Sequence, residues 1–299
     1  MSQQQQLLHK DAPWVILIHY GNPTLTARCL ESLAKTEKIP HGVVIIDHDP
    51  QPKKPEYWKD FHPNVISLHD GLNPGFAPGC NRGAEVALSK GACYFWFLNN
   101  DATLEESVLE RLIEFATKYP DVALWGTHQT DGTRLIGPTT HKKWFAGRAK
   151  NKVYPTAMPE SIHLLSSNQS LCGASIFTTR NNLKKVGSWP DHYFLYWEDA
   201  AYCYKVHQLG LPIAITNQKI VHAGSATTIR RSPMSTFYGV RNQLLLHHEI
   251  TPQARMGRLL LKIHILQKCF FRFRFKLLKP TWDGILAASK GQYGRDKRY

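Results

Sequence analysis

No two of the six cysteines (Cys29, Cys80, Cys93, Cys172, Cys203, Cys269) form a C-x-x-C pair. Four lie inside apolar or helical patterns, which reads as buried thiols in a reducing compartment and not as a disulfide frame. No apolar run approaches the roughly 20 residues of a membrane-spanning helix. Met1 to Lys10 is a glutamine-rich stretch without an apolar centre, so no signal peptide is expected there, and residues 1–12 read as a disordered lead-in. No internal repeat is visible. Acidic residues are scarce at one end: residues 254–299 hold 12 Lys and Arg against 2 acids, Asp283 and Asp296, a balance of +10. Of the total of +14, residues 1–253 keep only +4, from 25 basic against 21 acidic side chains. A nearly neutral body argues against a nucleic-acid-binding surface there, and the basic tail points to a polyanionic partner.

What is present has ordinary globular composition, 42% hydrophobic and 20% charged, in a chain long enough to bury a full core. Trp14-Val15-Ile16-Leu17-Ile18 and Val43-Val44-Ile45-Ile46 are continuous apolar runs, the pattern of strands buried on both faces. Val65 to Leu68, Cys93 to Leu98 and Val122 to Trp125 add three more strands. Thr24 is expected to cap a helix with Leu25, Cys29, Leu30 and Leu33 on one side. A glycine-rich turn from Asn73 to Gly83 opens a helix through Lys90. Thr103 with Glu106 forms a capping box for a helix to about Lys118. Residues 127–165 are polar and weakly periodic, and strands or loops covering a site are expected there. Order returns with Leu171 to Thr178 as a strand, a short helix near Asn181 to Val186, and a strand at Ile213 to Ile215. This alternation implies an α/β fold with a mostly parallel sheet flanked by helices. Ligands in such sheets bind beyond the carboxyl ends of the strands, where Tyr20, Asp47, Asn73 and Asp101 all fall.

Tyr193-Phe194-Leu195-Tyr196-Trp197-Glu198-Asp199 joins aromatic residues directly to two adjacent carboxylates. Aromatic neighbours desolvate a carboxylate and raise its pKa, the setting of a general base. An acidic first turn facing the positive end of a helix dipole accounts for the same pair without chemistry. What accompanies the pair decides between them.

In order along the chain, these motifs resemble the family 2 glycosyltransferases, which have a GT-A-type fold (Rossmann-like, for nucleotide-diphospho-sugars), and their rhamnosyltransferase-like members in particular. The first strand with Tyr20 looks like that family's opening strand, and Val43 to Asp47 is similar to its second. Asn73-x-Gly-Phe-Ala-x-Gly-x-Asn-x-Gly83 matches its asparagine–glycine loop. Leu98-Asn99-Asn100-Asp101 stands where the family has a D-x-D-type metal motif, with the amide of Asn99 replacing an acid. Phe194 to Asp199 looks like the acidic catalytic motif, and His222-Ala223-Gly224-Ser225-Ala226-Thr227 like the late histidine motif. Ala201 and Lys205 stand where the family often has an aspartate and an arginine. The likeness runs from about Trp14 to His247, within a catalytic domain read as 13–250.

The resemblance implies inverting transfer of a hexose or deoxyhexose, L-rhamnose from dTDP-rhamnose foremost. The donor would be a nucleoside-diphosphate sugar and the acceptor a surface-polysaccharide or lipid-diphosphate-linked glycan. Asp199 is the expected general base, with Glu198 orienting the acceptor or supporting Asp199. His19, Tyr20, Asp47, Asn73, Gly79, Asn81, Asn99, Asn100 and Asp101 are expected around the nucleotide sugar, Asp47 reading a pyrimidine N–H and Tyr20 packing on the base. Gly173 and Trp197 would line the sugar or acceptor pocket. A hard divalent ion, Mg²⁺ or Mn²⁺, is expected on Asp101 and His222, neutralising the leaving diphosphate. Arg230 and Arg231 follow the histidine motif, where a segment closing over the diphosphate is expected, and Arg241 ranks behind them. Plainer explanations stand beside several of these. They are core packing for Tyr20 and Trp197, helix-start charge for Asp101, a strand–helix connector for the glycine turn, and an ordinary loop imidazole for His222 in a chain of 15 histidines.

From Ala254 to Lys279, eight Lys or Arg and no acid are interleaved with Leu, Ile and Phe. A basic amphipathic segment over 251–299 reads as an interfacial element on anionic lipid, at roughly 1 kcal/mol per basic side chain near the surface. A helix packed on the body, or a binder of single-stranded nucleic acid, would use the same residues. The membrane is favoured because the resemblance implies a lipid-linked acceptor. The expectation is thus a cytoplasmic transferase, peripheral to the inner face of the cell membrane, with no nucleic-acid partner. A sugar-1-phosphate nucleotidyltransferase is the rival enzyme; it would want a basic glycine-rich loop after the first strand, which His19-Tyr20-Gly21-Asn22-Pro23 does not offer. A non-enzymatic nucleic-acid-binding or scaffold protein is the remaining alternative.

Overall fold

In the computed structural model, which describes residues 8–69, 71–141, 149–154, 162–222, 232–271 and 274–299, the two longest apolar runs lie side by side in a twelve-stranded sheet, inside the edge strand Val65–His69. The elements in chain order are β1 (Pro13–His19), α1 (Pro23–Thr36), β2 (Gly42–Asp47), α2 (Pro55–Lys59), β3 (Val65–His69), α3 (Phe76–Ser89), β4 (Tyr94–Asn99), β5 (Ala102–Thr103), α4 (Leu109–Lys118), β6 (Leu124–Thr130) and β7 (Leu135–His141). There follow β8 (Ala149–Tyr154), β9 (Ile162–Leu164), β10 (Gln169–Ser170), β11 (Ser175–Thr179), α5 (Arg180–Val186), α6 (Glu198–Gln208), β12 (Ile213–His222), α7 (Pro233–Ile250), α8 (Arg255–Phe271) and α9 (Leu278–Ser289).

Alternate residues of β1 and β2 feed two cores, because successive side chains of a strand point to opposite faces. Trp14, Ile16, Val44 and Ile46 pack with α3 and α6 on one face, and Val15, Leu17, Val43 and Ile45 with α1 and α4 on the other. Each fully buried aliphatic side chain contributes about 1.5–3 kcal/mol. That is why these runs are apolar throughout. Gly83 lets α3 approach β1, since a Cβ there would collide with Ile16.

Strands β3, β2, β1 and β4 are parallel, as the alternation implies. The remainder is mixed, with β12 parallel to β6 and its other pairings antiparallel. β11 runs antiparallel to β4 and β6, and β7 antiparallel to β6 and β8; the β6–β7 pair is a hairpin because the short connection Asp131 to Arg134 permits nothing else. The fifth strand begins at Leu124 and β11 at Ser175, each later than the apolar pattern indicates.

Two helix starts also differ. Asn22, not Thr24, caps α1, its side chain accepting from Thr24 N at 3.0 Å. The Thr103–Glu106 box caps nothing: Thr103 belongs to β5, and α4 starts at Leu109. Its cap comes from elsewhere in the chain. The carboxylate of Glu37 accepts from Val108 N and Ser107 Oγ at 2.8 Å and from Leu109 N at 3.1 Å.

The basic C-terminal part is not detached. Leu244 of α7, Leu261 of α8 and Ile285 of α9 share a small core, and Phe237 and Tyr238 of α7 pack with Phe194 and with Ala287 of α9. No helix among the described residues is long and apolar enough to cross a membrane.

Candidate active site at the carboxyl end of the sheet

The strand order reverses at β1, with β2 and β3 on one side and β4 on the other. Crevices outside such reversal points are where α/β sheets take ligands. His19 ends β1 opposite Asp47, and Ile18 pairs with Asn99. The His19 imidazole is buried, its Nδ1 2.8 Å from Thr26 Oγ1, and the Asn100 amide donates to the same hydroxyl at 2.8 Å. Burial lowers the His19 pKa against the opposing pull of Asp47 and Asp49. Thr26 thus ties together the two strand ends that flank the reversal.

The second cluster forms because β5 pairs with the end of β12, His222 opposite Ala102. That pairing brings Asp101 Oδ1 to 2.9 Å from His222 Nε2, across 121 positions of sequence. The Asn99 amide nitrogen is 3.3 Å from the same Nε2, and His222 Nδ1 is 3.1 Å from Gln129 Oε1. With Nδ1–H donated to Gln129, the Nε2 lone pair faces a carboxylate oxygen. In that tautomer a metal ion between the two acceptors would satisfy both; in the other, Nε2–H donates to Asp101. Two ligands at right angles, each about 2.1 Å from Mg²⁺, lie about 3 Å apart, so the observed spacing fits such an ion. Among the described residues no group of three His, Cys, Asp or Glu is placed to hold a metal, so the protein would offer this pair and leave other positions to substrate oxygens.

The third cluster is the acidic pair at the start of α6. Asp199 Oδ2 accepts from Gly173 N at 2.8 Å and Oδ1 from Ala200 N at 2.7 Å. One residue on from Gly173, Ala174 O accepts from Asn99 N at 2.9 Å. Asp199 is therefore joined through the 173–174 backbone to the end of β4, beside the Asp101–His222 pair. A Cβ at Gly173 would stand 3.2 Å from Asp199 Cβ, so a larger residue there would push Asp199 aside by a few tenths of an ångström.

Burial raises the pKa of both carboxyls. Burial and then the charge of Asp199 push Glu198 up to about 8, and Glu198 Oε2 is buried with no hydrogen-bond partner. Burial also raises Asp199, but the N–H groups of Gly173, Ala200 and Asp199 itself oppose it. The N–H groups around Asp199 favour its charged form while nothing hydrogen-bonds Glu198 Oε2, an asymmetry of the kind general base chemistry relies on.

The pair is reached through a strained approach. Tyr196 and Trp197 have φ of 67° and 73°, left-handed conformations costing about 1–3 kcal/mol each for non-glycine residues. Asn242 of α7, fully buried, holds them by donating to Leu195 O at 2.8 Å and Tyr196 O at 2.9 Å. Trp197 is half-buried, its ring 5.8 Å from that of His141.

Several residues expected at a nucleotide also bond the protein's own backbone. Asn81 is bound at both ends of its amide to the Trp189 backbone, donating to O at 3.0 Å and accepting from N at 2.8 Å. Asn73 caps Gly75 N at 3.2 Å, and the close approach that Gly75 permits (φ 114°) is to Phe194, whose carbonyl accepts from Phe76 N at 3.0 Å. Gly79 makes room for Ile18 and His48. The glycine turn thereby props up the stretch leading to Asp199. Asp47 is fully buried and accepts from Asp49 N at 2.9 Å and Lys53 N at 3.3 Å, closing its own turn. Tyr20 is 57% exposed, so it is not a core aromatic. Arg241 is buried, stacked on Tyr238, and donates to Gly294 O at 2.8 Å, which commits it to the C-terminal packing. Arg230, Arg231 and the Ala223 to Thr227 part of the histidine motif lie outside the described residues.

Sequence reasoning missed Thr26, Gln129 and Asn242. The polar triplet Arg241-Asn242-Gln243 opening an apolar run was a usable signal for Asn242; a lone Gln129 inside a strand gave none.

The pattern of Glycosyl transferase family 2 matches residues 14–173. The chain is 22% identical over 265 residues to N-acetylglucosaminyl-diphospho-decaprenol L-rhamnosyltransferase of Mycobacterium tuberculosis, covering 79% of this chain and 81% of that one. It is similar in structure to the mannosyltransferase PcManGT from Pyrobaculum calidifontis in complex with GDP-Man and Mn²⁺, with a TM-score of 0.53, 13% identity, and coverage of 94% of this chain and 76% of that chain. It is also similar to S. aureus TarS 1-349 in complex with UDP-GlcNAc, with a TM-score of 0.52, 14% identity, and coverage of 95% and 93%. At these identities the two structures share its fold.

Proposed function

The chain belongs to the family 2 glycosyl transferases, and on that premise we propose that it moves a hexose or deoxyhexose, with inversion, from a nucleoside-diphosphate sugar to a lipid-diphosphate-linked or surface-polysaccharide glycan. L-Rhamnose from dTDP-rhamnose is the first donor to test, since the rhamnosyltransferase relative spans most of the chain. The acceptor's lipid would place the enzyme at a membrane surface.

In the proposed reaction Asp199 takes the proton of an acceptor hydroxyl. The hydroxyl oxygen bonds to the anomeric carbon as the bond from that carbon to the diphosphate oxygen breaks, and the nucleoside diphosphate departs. The observation that supports this reading is geometric: Asp199 accepts from Gly173 N and Ala200 N beside the end of β4, next to a buried Glu198 whose Oε2 has no partner. Glu198, as a neutral acid, supports Asp199 without competing for the proton. Asp101 and His222 would hold a divalent cation, which supplies charge neutralisation of the leaving diphosphate. Gln129 fixes the His222 ring so that Nε2 faces that position. Asn99, Asn100 and His19 line the strand ends around it.

The test is nucleotide release from a panel of nucleotide sugars with a polyprenyl-diphosphate-linked glycan, with and without EDTA. Release that depends on acceptor, selects one donor and is lost with EDTA is expected. No release from any donor would remove the transferase reading of this site.

A further inference from the structure

Helix α8 is apolar on two opposite sides. Leu261 and Cys269 are buried against the body, whereas Met256, Leu259, Leu260, Ile263, Phe270 and Phe271 are between 42% and 74% exposed. On a helix turning roughly 100° per residue, those six positions fall within an arc of about 120°, facing away from the buried side. Scattered surface leucines need no explanation, but one aligned face does. Phe270 meets Phe271 and Phe275 edge to face at 6.0 Å, so the exposed face ends in an aromatic cluster.

The charges are arranged around this face and not within it. On the same wheel Arg255 and Lys262 fall on one flank and Lys268 on the other, Arg258 turns to the buried side and donates to Thr251 O at 2.8 Å, and residues 255–276 contain no acid. A nucleic-acid groove would carry its cations at the centre of contact. A second copy of this chain would present the same cationic surface and be repelled by it. An anionic bilayer fits both features, since acyl chains take the apolar arc and headgroup phosphates take the flanks.

We propose that α8 is a lipid-docking helix whose exposed apolar face seats in the headgroup boundary of an anionic bilayer. The inference rests on the proposed function only for the location of the acceptor. α8 packs against α7, which carries the Asn242 that holds the approach to Asp199, so the docking element is built onto the catalytic body.

The full chain is to be co-sedimented with vesicles of mixed phosphatidylglycerol and phosphatidylcholine, and with phosphatidylcholine alone. Binding to the anionic vesicles is expected, weakened several-fold by added salt. The exposed triple substitution Leu260→Ser, Phe270→Ser, Phe271→Ser is expected to weaken it more than tenfold with an unchanged circular dichroism spectrum. Equal binding by the triple variant, or equal binding to neutral vesicles, overturns the proposal. So does a triple variant whose only change is loss of a dimer, or loss of binding to a single-stranded oligonucleotide. Nucleotide release from soluble donor, measured without vesicles, separates the two readings. Its absence counts against the transferase, and loss of vesicle binding alone counts against docking.

Discussion

Replacing Glu198 with Gln should stabilise the protein at neutral pH, by an amount that depends on pH. Glu198 ionises at about 8 when folded against 4.5 as the reference, because burial and the neighbouring charge of Asp199 penalise its carboxylate. Between those values the unfolded chain has released a proton that the folded chain retains. Stability contributed by this group therefore falls as pH rises from 4.5 to 8. At pH 7 the cost is about 3 kcal/mol, at 1.36 kcal/mol per pH unit. Gln keeps the size of the neutral acid and never ionises, so the Glu198→Gln variant should avoid that cost. On a chain of this size the gain corresponds to a rise in melting temperature on the order of 5 °C at pH 7. Urea unfolding of both proteins from pH 5 to pH 8 is the assay. The stability gap should widen toward pH 8 and close toward pH 5. A gap that stays constant across that range, or a variant less stable at pH 7.5, would show that Glu198 is not held neutral.

Three further outcomes are expected. Asn242→Asp keeps the shape of the side chain but cannot donate to Leu195 O and Tyr196 O, so kcat should fall at least tenfold with the donor KM little changed; a change confined to KM would count against positioning. His222→Ala should blunt the response of activity to added Mn²⁺, and an identical metal titration would remove it as a ligand. At the far end of the sheet, burial lowers both His41 and His62, the latter to about 3, and their Nε2 atoms meet at 3.0 Å. A histidine whose folded pKa is depressed loses stability as pH drops below 6.5, about 2 kcal/mol between pH 7 and pH 5. His62→Gln should flatten that slope by roughly 1.4 kcal/mol per pH unit, and an unchanged slope would contradict it.

The parallel half of the fold was legible because strands buried on both faces must be apolar throughout, and Val15 to Leu17 and Val43 to Ile45 are. The antiparallel half was not, because β6 to β8 mix polar and apolar residues and depend on partners far along the chain. The start of α4 shows the same limit. A local box at Thr103 and Glu106 satisfied the capping pattern, but a carboxylate 71 positions earlier had already taken the amide. At the candidate site, residue type alone singled out the acidic pair, Asp101 and His222, and the fold brings the last two within 2.9 Å. The glycine turn was found too, but sequence cannot distinguish a backbone that approaches a ligand from one that approaches Phe194. Gln129 and Asn242 stand out only by what they touch, the His222 ring and the carbonyls of Leu195 and Tyr196, and those contacts depend on the fold.

Whether Asp199 is the group that takes the acceptor's proton is decided by Asp199→Asn, with transfer to acceptor and donor binding measured on the same preparation. Asn has one acceptor oxygen for the two N–H groups of Gly173 and Ala200, so its melting temperature must be followed alongside. Transfer should fall by about a hundredfold or more, the contribution of a positioned base, while donor affinity stays within a few-fold. Transfer at close to the wild-type rate would contradict the role assigned to Asp199.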